Sequence, residues 1–286
     1  MTKKLTETAM RILFLICASV SVIAVLLICR FIFVNSVPAI SQIGLGNFIL
    51  GREWRPRQNI YGIFPMITAS VYVTAGAVIV GVPTGLLTAI FLSFYCPKRL
   101  YKILKPMINL LASVPSVVYG FFCLMVVVPV MQRITDTSGK GIITASILLG
   151  IMILPTIINT AETSLKSVPP QYFEGALALG ATKERCIFKT VLPAASSGVL
   201  CGVILGIGRA IGETMAVVMI AGNQPVLPDS ITSGVRTLTG NIVLEMAYAA
   251  GLHRQALIAT AAVLFVFILI INLCFTALAG LRRNKQ

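Results

Sequence analysis

One tryptophan (Trp54), one histidine (His253) and only 11% charged residues stand in a chain of 286. Each shortage excludes something. An ordinary globular domain carries about 25% charged residues, so one or two soluble domains are not the expectation. A lone histidine excludes a multi-histidine metal centre. The seven cysteines (Cys17, Cys29, Cys96, Cys123, Cys186, Cys201 and Cys274) show no C-x-x-C or other metal spacing, and read as small buried apolar side chains. No G-x-x-x-x-G-K-[ST] is present, so ATP binding through a P-loop is excluded. No cofactor motif is present either. No convergent set of His, Asp, Ser or Cys suggests catalysis, and His253 is expected near an outer membrane boundary without partners. There is no internal repeat and no low-complexity tract.

Apolar residues fill the space, at 57% of the chain, with a mean hydropathy of +0.94. A membrane span needs about 20 mainly apolar residues. Six candidates are predicted: 12–34, 66–95, 106–131, 142–160, 196–222 and 256–279. The first is too long for a signal-peptide core and has no clean cleavage site, so it reads as a retained anchor. The net charge of +14 comes from short basic clusters between these runs. In a soluble protein it would suggest nucleic acid; here it reads as topology signal and anionic-lipid contact. With the N-terminus inside, the inner segments carry fourteen Lys and Arg and the outer ones seven. That bias predicts both termini in the cytoplasm. The division expected is an anchor helix and outer loop over 1–65, a membrane core over 66–279 with an inner loop at 162–193, and a basic tail over 280–286. The long outer segments, about 35–65 and 223–255, read equally as partner-docking surfaces or as connections.

Three segments carry more. In the inner loop, Pro169 and Pro170 stop the preceding helix, and Pro170 suits a first helical turn. A short helix should run to about Leu179, with Gly180 in the left-handed position after it. Thr182 can cap a second short helix, and Pro193 leads into span five. This helix–turn–helix is either a device facing the cytoplasm or a simple interfacial linker. Span five carries Gly198, Gly202 and Gly206 at every fourth position, and Gly208 with Gly212, a pattern that lets helices approach closely in lipid. Arg209 and Glu213, four apart, share a helical face and should pair. A mid-bilayer charge costs about 2.5–3.5 kcal/mol even on insertion scales, so the two belong either to a translocation path or to a structural ion pair. In span three, Pro115 and Gly120 predict a kink beside a cavity or a close helix contact.

The loop from Glu174 to Pro193 resembles the EAA loop of ABC importer permeases. Glu174, Ala176, Gly180, Leu192 and Pro193 match, while Gly175 and Thr190 depart from the pattern. Residues 52–56 (REWRP), 95–122, 208–223 (GRAIGETMAVVMIAGN) and 235–259 are similar to the phosphate-specific branch of that family, of the PstC type. The resemblance covers nearly everything from Arg52 onward. It implies an all-α polytopic membrane protein with the type I ABC importer permease fold. It further implies a second permease subunit of the PstA type, two copies of a cytoplasmic ATPase, and an extracytoplasmic binding protein delivering inorganic phosphate in a bacterial plasma membrane. The EAA loop would then couple to the ATPase, and the chain itself would not be an enzyme. Another oxyanion of the molybdate or sulfate type is the alternative substrate. An ion-coupled secondary transporter would need several midplane carboxylates, and only Glu213 is expected within a span core.

Overall fold

The computed structural model describes residues 2–283; of the basic tail, Asn284, Lys285 and Gln286 lie outside them. The chain opens with a long helix, α1 (Thr2–Ile43), and a short one, α2 (Leu45–Leu50). A two-stranded hairpin follows, β1 (Trp54–Arg55) and β2 (Ile60–Tyr61), paired antiparallel with Trp54 opposite Tyr61. Then come α3 (Phe64–Ile90), α4 (Lys98–Ser113), α5 (Ser116–Phe122), α6 (Val128–Thr135) and α7 (Ile142–Lys166). The inner loop holds α8 (Pro170–Ala178), α9 (Lys183–Cys186) and α10 (Leu192–Ala194). The chain ends with α11 (Ser196–Gly212), α12 (Met215–Ile220), α13 (Leu238–Glu245) and α14 (Gly251–Arg283).

Five stretches are long and apolar enough to cross a membrane: Met10–Ile43, Phe64–Tyr95, Ser116–Thr135, Ile142–Lys166 and Gly251–Cys274. A sixth is reached if Lys183–Ala194 and Ser196–Gly212, bent by 73° to one another, count as one. Among the described residues the count is thus five spans, or the expected six if that bent pair is one span, and two boundaries change. The expected span 106–131 is interrupted: Val114 and Pro115 are extended, separating α4 from the membrane helix that starts at Ser116. Proline pushes the residue before it out of the helical region, and at Val114 that effect ends a helix rather than kinking one. The expected span 196–222 is interrupted as well. α11 has 17 residues, about 25 Å at 1.5 Å per residue, short of the roughly 30 Å hydrocarbon core. The chain resumes as α12 after extended Glu213 and non-helical Thr214.

α7 is the central and most buried span. Small residues on two neighbours let it be approached from both sides. A side-chain Cβ at Gly81 or Gly85 of α3 would meet Ile153 or Ile157 of α7 at 2.7 and 2.9 Å. On α11, Gly198, Gly202 and Gly206 lie against Ser164, Thr160 and Ile157 at 2.1, 2.9 and 3.0 Å from the corresponding Cβ positions. Gly208 and Gly212 meet nothing within 4 Å, so within this chain they pack no helix. Overpacking costs about 1–3 kcal/mol. Gly202→Leu should therefore lower the thermal midpoint of the purified subunit clearly, and Gly208→Leu should leave it in place. Equal losses from the two would show that the α7 seam is not what distinguishes them.

Among the described residues the buried apolar side chains form four clusters, three of them large; the small fourth joins Leu92, Ile108 and Ile158. Of the large ones, the middle one joins α3, α7 and α12 around Val73, Leu149, Ile153 and Ile220. One end holds Phe48, Trp54, Tyr61, Met66, Leu238 and Leu257, so the hairpin packs with α13 and α14. The other end holds Ile90, Leu165, Ile187 and Val191, which seat the inner loop. The cysteines do not follow expectation: Cys123 and Cys186 are buried, whereas Cys17, Cys201 and Cys274 are exposed. An apolar thiol suits a lipid-facing surface as well as a core, so burial inside the chain is not required of it.

Candidate functional site

The inner loop is built by local signals. Pro170 opens α8 next to extended Pro169. At its end Gly180 has φ +83°, the left-handed region that favours glycine. The Gly180 N–H donates to Leu177 O at 2.9 Å and the Ala181 N–H to Ala176 O at 3.2 Å, the paired bonds of a Schellman motif. Thr182 then caps α9, its hydroxyl accepting from Arg185 N–H. α9 is tied to the end of α3: Lys183 Nζ donates to Phe94 O at 2.7 Å, and Tyr95 OH donates to Glu184 at 3.3 Å. Phe94 and Phe173 stack with centroids 5.8 Å apart. Buried Cys186, Ile187 and Val191 anchor the far side, near Leu192 and Pro193 of α10. The outward side is bare. Glu174 and Gly175 are exposed, and Leu179 is 91% exposed beside Tyr172 and Leu177.

Arg209 and Glu213 are not a pair. The helix ends at Gly212, so Glu213 no longer sits one turn above Arg209 on a common face. Its carboxylate instead accepts from the Ala216 N–H at 3.2 Å, satisfying the start of α12, while its backbone carbonyl accepts from Thr239 Oγ1. Among the described residues no carboxylate lies within ion-pair distance of Arg209. Arg209 is exposed, on the surface where Gly208 and Gly212 have no neighbour. The break places an exposed guanidinium and unpacked glycines together at an interrupted membrane helix.

Two polar clusters escaped sequence reasoning. At the hairpin end, Glu245 accepts from Trp54 Nε1 at 2.8 Å, Arg236 at 2.5 Å and, on the same oxygen as Trp54, lies 2.8 Å from His253 Nε2. His253 is thus partnered, contrary to expectation, and it also stacks on Tyr61. Burial, and then the nearby Glu245 charge, push the Tyr61 hydroxyl above its ordinary range, keeping it neutral. A cavity of about 690 Å³, lined by Arg55, Arg57, Gln58, Tyr248 and His253, opens beside the cluster. At the inner end, α7 runs six residues past its expected boundary at 160 and brings Glu162 into the span. Glu162, and not Glu213, thus stands within a membrane helix. Glu162 is 3% exposed and accepts from Lys105 Nζ, Lys166 Nζ and Tyr101 OH at 2.6, 2.6 and 2.7 Å. Only the Glu162/Lys166 spacing of four was visible in sequence; the other partners come from residues more than fifty positions away.

An all-helical bundle of this kind, with a bent inner knob feeding an interrupted span, has the type I ABC importer permease fold. It superposes on the MetNI methionine ABC transporter with a TM-score of 0.61 at 17% identity, covering 80% of this chain and 99% of that one. On a bacterial alginate ABC transporter it scores 0.58 at 16% identity, covering 85% of both chains. Residues 81–283 match the family of binding-protein-dependent transport system inner membrane components, and the chain belongs to that family. It is 35% identical over 251 residues to a probable ABC transporter permease, YqgH, of Bacillus subtilis, covering 86% of this chain and 81% of the relative. It is 34% identical over 255 residues to the phosphate transport system permease PstC of Haemophilus influenzae, covering 82% and 80%. To PstC 2 of Mycobacterium tuberculosis it is 31% identical over 291 residues, covering 93% and 89%. The chain is thus a multi-pass membrane permease of the ABC importer class.

Proposed function

We propose that this chain is one of two permease halves of an ATP-driven importer of inorganic phosphate, with both termini in the cytoplasm. The observation that carries the transport reading is the α8–Gly180–α9 knob: rigidly seated on one side, bare and apolar on the other. An exposed leucine, tyrosine and helix at a membrane protein's inner end suit insertion into a groove of a separate protein, here the ATPase. The substrate follows from the phosphate permeases among the relatives. A second permease of the PstA type would cover the open surface around Arg209, making the path between the two halves. An extracytoplasmic binding protein would deliver the anion. Arg209 offers an always-charged fork that takes two oxygens of one phosphate, and lacking a carboxylate partner it is available to do so.

The test is reconstitution with all partners in ATP-loaded proteoliposomes. Phosphate should accumulate, and sulfate and molybdate should not. Gly180→Val, which forces a β-branched residue into the left-handed region at roughly 1–2 kcal/mol, should release or uncouple the ATPase while the permease still inserts. Unchanged ATPase binding and uptake in that variant would reduce the knob to a linker.

A further inference from the structure

The Glu162 cluster has charge chemistry that a structural brace does not need. Lys105 and Lys166 hold the two oxygens of one buried carboxylate, leaving a net charge of +1 on the three groups. Lys105 also donates to Asn159 Oδ1 at 2.7 Å, and Asn159 donates to Asn109 Oδ1 at 3.2 Å. Each acceptor oxygen in this chain of bonds already has at least one donor. Each lysine has three donors and each carboxamide two. Lys105 places two of its three, and so does Lys166, on Glu162 and on Tyr101 OH at 3.1 Å. N–H capacity therefore remains on both lysines, on Asn109 Nδ2 and on Asn159 Nδ2. The carboxylate is buried, yet the side chains of Lys105 and Lys166 remain 25% and 46% exposed, and Asn109 is exposed. A surface rich in donors, net positive and held in register from behind is complementary to a tetrahedral oxyanion.

Its position adds to this. The cluster lies at the end of α7 that leads into α8, the end expected to face the cytoplasm. Along α4, Asn109 follows Lys105 by one turn and Ser113 follows Asn109 by another. Tyr119 of α5 donates to Leu111 O, also on α4, at 2.7 Å. Polar side chains thus mark α4 turn by turn from Ser113 to Lys105.

We infer that Lys105, Lys166, Asn109 and Asn159 form an inner oxyanion station, where a phosphate leaving the membrane is held before release. This rests on the phosphate-import reading. Glu162 sets its strength: it orients both ammonium groups and competes with the anion for them, so that binding stays weak enough for release. A lipid phosphate headgroup has the same chemistry, and the inference commits to the free anion.

The experiment uses the assembled transporter in proteoliposomes and reads amine labelling of Lys105 and Lys166 by mass spectrometry. Inorganic phosphate in the lumen should slow labelling of both lysines, and chloride at equal ionic strength should not. In Asn109→Ala, which leaves every Glu162 partner in place, the phosphate concentration giving half-protection of Lys166 should rise about tenfold, the loss expected from one hydrogen bond to a charged group. Lys105→Met should raise it further, and Glu162→Gln should lower it. If Lys105→Met fails to assemble, Asn109→Ala carries the test. Absence of phosphate protection in the wild type overturns the inference. So does protection that follows the anionic-lipid content of the vesicles and not the lumenal phosphate, which would assign the cluster to a headgroup. Protection without phosphate uptake by the wild type leaves the station standing and removes the substrate reading alone.

Discussion

Arg209→Gln should abolish phosphate uptake to the detection limit, a loss of at least about 10²-fold by analogy with removal of one essential oxyanion donor. Assembly with the partner permease and the ATPase should stay near normal. The residue is exposed and has no carboxylate partner to strand, so its removal leaves no buried charge behind. Glu213→Gln should do much less, because a carboxamide oxygen can still accept from the Ala216 N–H that the carboxylate now holds. The charge swap, Arg209→Glu with Glu213→Arg, should be as inactive as Arg209→Gln. It moves the guanidinium to the α12 cap and puts an anion where phosphate should pass. Near-normal uptake from the swap would show that a mutual pairing matters after all, and would end the path role.

Glu245→Ala should have the largest effect on stability. Removing one partner of a buried ion pair typically costs about 3–5 kcal/mol, because the other charge is left uncompensated. Here Arg236 would be stranded at 15% side-chain exposure, and Trp54 Nε1 and His253 would lose their acceptor as well. The loss should appear as a sharply lowered thermal midpoint in detergent and as proteolytic cleavage within the 52–62 hairpin. Trp54→Phe, which removes only one of the hydrogen bonds, should cost about 1 kcal/mol. If Glu245→Ala melts like the wild type, the hairpin is held by the surrounding apolar core and not by the carboxylate.

What could be read from the sequence divides along a physical line. The inner loop was legible almost residue by residue because its determinants are local: a proline in a first turn, a glycine at a left-handed stop, a threonine cap two residues later. The glycine seam of α11 was legible for a similar reason, since a fourfold spacing needs no knowledge of the partner helix; that the partner is α7 was not. The break after Gly212 was hidden by hydropathy. Apolar residues resume at Met215, and an average over about twenty positions passes over two non-helical ones. Arg209 and Glu213 were therefore placed on one helical face that does not exist. Pro115 did carry a signal, and it was underread as a kink. The two carboxylate clusters were beyond local reasoning: Glu245 meets Trp54 across 191 positions, and Glu162 meets Lys105 across 57. Such pairings follow only once the spans have been placed side by side.

The long first helix packs chiefly on the last one, with Phe33 edge-on to Phe265, and otherwise turns an exposed apolar surface outward. The two partners are therefore made far apart in time during translation. About two hundred residues separate the end of α1 at Ile43 from the start of α14 at Gly251, roughly 10–40 s of synthesis at 5–20 residues per second. Through that interval α1 must rest alone in lipid, and its mainly apolar stretch from Ile12 to Cys29, broken only by Ser19 and Ser21, lets it do so without a chaperoning neighbour. The contact between α1 and α14 also reports that α14 has been made. A chain cut short before α14 would leave α1 unmatched in the bilayer, where membrane quality control could recognise it.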